Sequence, residues 1–432
     1  MVCDVAENPA VRVFALHTMG GGTIVAKGGA TPTMEDRELG ARIAYWRERR
    51  GVTQKLLADR LGRSKSWIEK VEYGQRSADR LPILLAICAE LRVDLPVLIG
   101  RDLTRDTREC INDIQVEAIR SSLENYDAIR SEMPDGYSPD ISRTRRQLSH
   151  MWSAFEMADY QVVSRTLPGL LIDAQRSHVI LGNVQTAQNL TEIYQITTST
   201  LRKLGEYDLA WLAGDRGVHV SESTGDGIMS ALTGCRVANA LVAMGRSEAA
   251  FNLNISLASR IESDLHTEED MSAYGHLLLQ AAMAAAHKGD AASVRDLVRE
   301  ARDVAGHVSD KANHHHMSFG PTNVRVHHVS ALISLGEGGL AVEAAGQISR
   351  EGIGMLRRER RASHLVDVAR GYSQWGMREE ALGKLLEAEA LAPREVNCRP
   401  LTRGIIENLI QRSSGKPSNT LSALAERAGI AA

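Results

Sequence analysis

The feature that most restricts this chain is a glycine that recurs every forty-odd residues. Gly205, Gly245, Gly289, Gly336 and Gly376 stand 40, 44, 47 and 40 residues apart. Each ends a stretch of helical apolar periodicity, and five residues later comes a small side chain: Ala210, Ala250, Val294, Ala341 and Ala381. Glycine accepts the left-handed backbone that stops a helix, and the small residue lets the returning helix pack closely. A chain that repeats this unit stacks helical hairpins, each covering its neighbour's apolar face. An earlier pair around Trp152, Phe155, Tyr160 and Pro168 would start the array, and Pro400 to Gln411 would cap it. The expectation is an all-α chain with an α-solenoid over 140–412 and a tail over 413–432.

Composition agrees and narrows the compartment. Aromatic residues make up only 4% of 432, which suits close-packed helices better than sheets. No apolar run approaches the roughly 18 residues that span a bilayer, so no membrane partner is expected. The acidic start (Asp4, Glu7) lacks the apolar core of a secretory signal. The cysteines (Cys3, Cys88, Cys110, Cys235, Cys398) form no Cys-x-x-Cys pair, which fits a reducing cytoplasm without disulfides or zinc.

The net charge of -3 conceals a division. Asp36 to Arg101 carries 14 Lys and Arg against 9 Asp and Glu, whereas 102–432 carries 35 against 42. A basic head on an acidic body is the balance of a nucleic-acid binder with a separate second module.

The head, 34–101, divides into five short helices. Glu38 to Arg49 places Leu39, Ile43 and Trp46 on one face and stops at Gly51. Thr53 caps Gln54 to Leu61; Gly62-Arg63 is a tight turn; Ser64 caps a helix holding Trp67, Ile68 and Val71 that closes at Gly74. A fourth helix is expected over about Asp79 to Leu91 and a short fifth over Leu95 to Ile99. The string from Thr53 to Gly74, T-Q-K-L-L-A-D-R-L-G-R-S-K-S-W-I-E-K-V-E-Y-G, resembles the Cro/XRE phage-repressor type of helix-turn-helix domain. Arg63 departs from that pattern, which usually has a small apolar residue there.

The resemblance implies a sequence-specific transcriptional regulator that binds a double-stranded DNA operator as a homodimer. It puts the third helix into the major groove, with Lys65, Ser66 and Lys70 reading bases and Gln54 on a phosphate. Arg63, Ser64 and Trp67 complete the expected DNA-binding set. It also pairs Arg47 with Glu72 as a structural tie between the first and third helices. The competing reading of Lys65 and Lys70 is a solvated face.

Residues 1–33 hold five glycines between Gly20 and Gly29 and no usable periodicity. They read as a disordered tail or as a mis-assigned start preceding Met34. Asp102 to 139 reads as a connector, with Ile119, Leu123, Tyr126 and Ile129 at helical spacing before Pro134, Gly136 and Pro139. It would relay, dimerise or simply pack on the first hairpin.

The hairpins resemble tetratricopeptide repeats, best over Trp375 to Pro393, although their period exceeds the usual 34 residues. The whole resembles the large XRE regulators with tetratricopeptide-like C-terminal regions found in actinobacteria, a likeness shared by Phe319-Gly-Pro-Thr-Asn-Val324. No nucleophile elbow, phosphate loop or His-Glu-x-x-His occurs, so neither an enzyme nor a cofactor is expected. Asn313-His314-His315-His316, with His327 and His328, lacks metal-ligand spacing and reads as a solvated loop.

Aligning the helices on their closing glycines exposes a polar stripe. Thirteen residues before each glycine stand Glu192, Leu232, His276, Asn323 and Ser363; nine before, Ile196, Arg236, Gln280, His327 and Asp367; six before, Ser199, Asn239, Met283, Ser330 and Arg370. These positions share one helix face. In tetratricopeptide arrays that face lines the groove, so Arg236, Asn239, His276, Gln280, Asn323, His327, Asp367 and Arg370 are the candidate contacts for a peptide or small-molecule signal. A water-facing stripe with no ligand is the plain alternative. Two functions follow: a ligand-responsive regulator, or a DNA-tethered scaffold whose repeats dock another protein.

Overall fold

The structure is a computed structural model and describes residues 34–76, 78, 81–91, 98, 113–124, 137–413 and 417–430. The expectations for 1–33 therefore fall outside the described residues, as do Tyr126, Ile129, Pro134 and Gly136. The chain forms two compact units, 1–103 and 104–432.

The first unit holds helices α1 (Met34–Arg49), α2 (Gln54–Arg60), α3 (Lys65–Glu72) and α4 (Leu81–Leu91). Thr53 caps α2 by accepting the Leu56 N–H at 3.1 Å, and Ser64 caps α3 by accepting that of Trp67 at 3.1 Å. Ile43, Leu57, Ile68, Ile87, Leu91 and Leu98 are fully buried in its core. Leu98 is the described part of the fifth element, and its carbonyl accepts from Arg42 Nε at 3.0 Å.

The second unit is a run of antiparallel helix pairs. Helix α5 (Asp113–Glu124) precedes them and buries Ile119 and Leu123 against α7, so this part of the connector packs on the first hairpin. The pairs are α6 (Ile141–Glu156) with α7 (Tyr160–Leu181), α8 (Val184–Leu204) with α9 (Tyr207–Ser221), and α10 (Gly227–Ala243) with α11 (Ser247–Ile261). Next come α12 (Glu268–His287) with α13 (Ala291–Ala305) and α14 (Pro321–Ser334) with α15 (Gly338–Gly346). Then follow α16 (Arg350–Met355), α17 (Arg358–Trp375) with α18 (Arg378–Leu391), α19 (Pro393–Asn397), α20 (Pro400–Gln411) and α21 (Asn419–Arg427). Among the described residues no helix is long and apolar enough to cross a membrane.

The five marker glycines sit at φ values from 77° to 88°. Each small residue five positions on is buried: Ala210, Ala250 and Ala381 completely, Ala341 and Val294 nearly so. The first pair obeys the same geometry with a different residue. Ala158 turns at φ 59°, and Val163, five residues on, is fully buried.

Two expectations are corrected. The stretch 413–432 is not a tail throughout: Ser418 caps α21, and Leu421, Leu424, Ala425 and Ala428 join a core with Leu385 and Ile406. Nor is the histidine segment a solvated loop. His314, His315 and His316 are half-buried beside Glu268, Glu269 and Glu156 respectively, and the His316 ring stacks on Trp152 at 4.3 Å.

The inner layer consists of α8, α10, α12, α14 and α17, each packed on the next, and α17 then touches α6. The array thus closes on itself. Ala158 and Tyr160 share a buried cluster with Ala362 and Ala392, Arg394 reaches Asp159, and Arg357 reaches Glu156.

Candidate DNA interface and inner polar cluster

In the first unit, Arg47 grips Glu72 through two parallel bonds, Nε to Oε1 at 2.6 Å and Nη2 to Oε2 at 3.1 Å. Both side chains are buried, and the bond to Glu72 raises the guanidinium pKa further. The expected tie between α1 and α3 is present. Gln54 belongs to the same knot, donating one amide N–H to Glu72 Oε2 at 2.7 Å. The expected phosphate contact would have only the second amide N–H of this half-buried side chain, because Glu72 holds the first.

The remaining candidates form one exposed face. Arg63, Ser64, Lys65, Ser66 and Lys70 are all exposed. Lys65 lies 3.0 Å from Glu69 on the same helix, an ion pair that solvent weakens. Trp67 is instead a core residue, 7% exposed, with the Arg63 guanidinium 5.5 Å from its ring. Its ring positions α3 and cannot read bases. A short capped helix with an exposed, cationic N-terminal half is the shape that fits a major groove.

In the second unit the polar stripe comes together, but it is not exposed. Asn323 is 1% exposed, His276 6% and His327 7%; Arg236, Asn239, Gln280, Asp367 and Arg370 are half-buried. Gln280 Nε2 lies 3.3 Å from His327 Nε2, and the rings of His276 and His327 meet edge-on at 6.4 Å. His327 Nδ1 lies 2.9 Å from the Asn323 carbonyl. Ser330 donates to Asp367 at 2.5 Å. Asn239 and Arg370 make no side-chain hydrogen bond within this cluster.

Sequence reasoning missed Arg360, which ties the stripe together. It donates to Asn323 Oδ1 at 2.9 Å and lies 3.2 Å from His327 Nδ1. It stands sixteen residues before Gly376, one turn beyond the rows compared, and the same periodicity extended would have found it. Arg236 lies on α10 with Nη2 3.3 Å from the Met317 sulfur and its guanidinium 5.9 Å from the Trp152 ring.

Beside this stripe lies a second charged group, formed where the array closes. Lys203 bonds Glu359 and lies 2.7 Å from Glu395 Oε1; Arg399 also bonds Glu395, and Tyr160 donates to Glu395 Oε2 at 2.5 Å. Burial would raise the Glu359 carboxyl, but Lys203 overcomes it and holds it at about 2. Burial, reinforced by Glu395, pushes the Tyr160 phenol well above its ordinary value. Burial, with smaller contributions from Arg236 and Arg360, lowers His276 to about 3, so that imidazole is neutral at physiological pH. His327 is held well below its ordinary value by burial and Arg360.

Residues 38–98 match the family described as a helix-turn-helix domain. No curated protein matches the chain. Among solved structures, a Podospora anserina putative kinesin light chain with nearly identical TPR-like repeats is 17% identical, covering 46% of this chain and 92% of its own (TM-score 0.32). Bacillus thuringiensis PlcR, in complex with the peptide PapR7 and DNA, is 15% identical, with coverages of 82% and 99% (TM-score 0.30). The apo competence regulator ComR of Streptococcus vestibularis is 15% identical, with coverages of 80% and 99% (TM-score 0.22). The chain thus carries a helix-turn-helix, DNA-binding type of head over residues 38–98, followed in sequence by a body of paired helices.

Proposed function

We propose that this regulator is a sensor: two copies hold an operator through their heads, and the helical array of each answers a peptide or small-molecule signal. The α3 face of Arg63, Lys65, Ser66 and Lys70 contacts DNA, and two such heads match two half-sites. The role of the array is binding, not catalysis. One observation carries the reading. Polar side chains from α10, α12, α14 and α17 converge on the inner layer, where desolvation makes polar groups costly unless a partner repays them.

A surface that docks another protein needs accessible groups, so this burial supports a small ligand over the scaffold alternative. The test is operator affinity of the full chain with and without extract of the producing cells. A sensor changes affinity by about 5- to 150-fold. An unchanged affinity, with a protein captured by the array, would favour the scaffold.

A further inference from the structure

The charges of the inner cluster do not balance. Lys203 and Arg399 neutralise Glu359 and Glu395: Lys203 contacts both carboxylates and Arg399 contacts Glu395. That leaves Arg202, Arg236 and Arg360 without a carboxylate of their own: all three feel Glu359, which Lys203 already holds, and Asp367, which Ser330 bonds, acts on Arg360. Among the described residues, no carboxylate lies at ion-pair distance from any of the three arginines. Arg360 lies against His327, whose ring meets that of His276 edge-on, and Arg236 stands on α10, which packs on the α12 of His276; Arg236 also feels the charge of Arg202. Each retains accessible surface. Such a surplus destabilises an empty site and stabilises a filled one.

Unused hydrogen-bonding capacity points to the same place. His276 is 94% buried by its 6% exposure, yet neither ring nitrogen has a partner. A neutral imidazole there offers one N–H donor and one acceptor. Arg236 Nε is likewise buried without a partner, and the strongest contact of its guanidinium is to a thioether, a weak acceptor.

We propose that Arg202, Arg236, Arg360 and His276 form a binding site for a small anion carrying about two negative charges on phosphate or carboxylate oxygens. The proposal rests on the sensor reading and names the chemistry of its signal. Arginine suits these oxygens because its planar fork gives paired, charge-assisted bonds. His276 Nε2 or Nδ1 donates a further hydrogen bond without adding charge. Met317 meets the Arg236 guanidinium with its sulfur, 3.3 Å from Nη2. The loop that places it holds His315, His316 and Ser318 in the left-handed region, at φ 50°, 60° and 49°.

The test uses the full chain with pyrophosphate, inorganic phosphate and succinate as probes, and sodium chloride at matched ionic strength as the control. Melting temperature should rise with a phosphate or with succinate and not with chloride, and which probe works separates the two sources of anionic oxygen. Arg236→Gln should melt at or above the wild-type temperature without ligand, since it removes an unpaired cation. It should weaken the active probe about tenfold or more, the scale of a lost charge-assisted bond. His276→Leu should weaken it as well. If Arg236→Gln does not fold, Arg202→Gln carries the same test, because the Arg202 side chain makes no hydrogen bond among the described residues. The site is overturned if no probe exceeds chloride, or if the arginine variants bind the probe like wild type. Binding that leaves operator affinity unchanged would keep the site and end the sensor reading. A response to cell extract that survives Arg236→Gln would do the reverse.

Discussion

Lys203 and Glu395 lie 2.7 Å apart, although 192 positions separate them, and both are almost wholly buried. Their contact, with Tyr160 on the same carboxylate, joins the first hairpins of the array to the short helix α19 near its end. An open stack of repeats has no such bond, because each unit there touches only its neighbours.

Glu395→Gln should therefore lower stability steeply. It leaves Arg399 buried without its carboxylate and Lys203 with Glu359 alone, and breaking a buried pair costs about 3–5 kcal/mol. Thermal or urea unfolding of the full chain measures it. An unchanged midpoint would show that closure contributes nothing to stability.

Acid should weaken the array through His276. Its folded pKa of about 3 lies below the ordinary 6.5, so the unfolded chain binds the extra proton between those values. Stability is then complete above about pH 6.5 and falls as pH drops toward 3. At pH 5 the loss attributable to this one group is about 2 kcal/mol. His276→Leu should flatten the pH profile between 7 and 5 relative to wild type. An equally steep profile would assign the effect to other groups.

In the head, two substitutions should separate reading from support. Lys70→Ala should cost about 1–3 kcal/mol on the operator and relax one position of the site, with melting unaffected. Glu72→Ala should cost about 1–3 kcal/mol of stability by orphaning Arg47. Gln54→Ala should behave like Glu72→Ala and leave the salt dependence of operator binding unchanged. A shallower salt slope would instead place Gln54 on a phosphate.

Two glycines should respond to alanine with opposite signs. A Cβ at Gly275 would lie 2.0 Å from Phe319 Cζ, so Gly275→Ala should destabilise by about 1–3 kcal/mol. Gly383 lies inside α18 with nothing within 4 Å of its would-be Cβ. Gly383→Ala should stabilise by about 0.5–1 kcal/mol through helix propensity. Melting temperatures of the two variants, compared side by side, decide it.

What the sequence revealed was local. The glycine and the small residue five positions later are close enough for one helix turn to couple them, and all five pairs behave as their pattern implies. Arg47 with Glu72 was reachable through resemblance to a known head. Ala158 escaped because an alanine stands where the other turns have glycine, and only the backbone angle reveals its equivalence. Helix α21 was overlooked although Ser418, Leu421, Leu424 and Gly429 carry its cap, apolar face and stop. Burial of the stripe was not legible at all. A polar residue that faces water and one that faces an inner layer have the same periodicity. The ring of Tyr160, Lys203 and Glu395 depends on how far each hairpin rotates on the last, and no spacing along the chain encodes that sum.

Closure also has a consequence for synthesis. Tyr160 leaves the ribosome 235 residues ahead of Glu395, a delay of about 10–50 s at bacterial and eukaryotic elongation rates. Throughout that interval the first hairpins present an unfinished seam to the cell. A seam of leucines would be a target for aggregation while it waited. A phenol and an ammonium are content in water, so the nascent array can remain unsealed without harm until its acidic partner emerges.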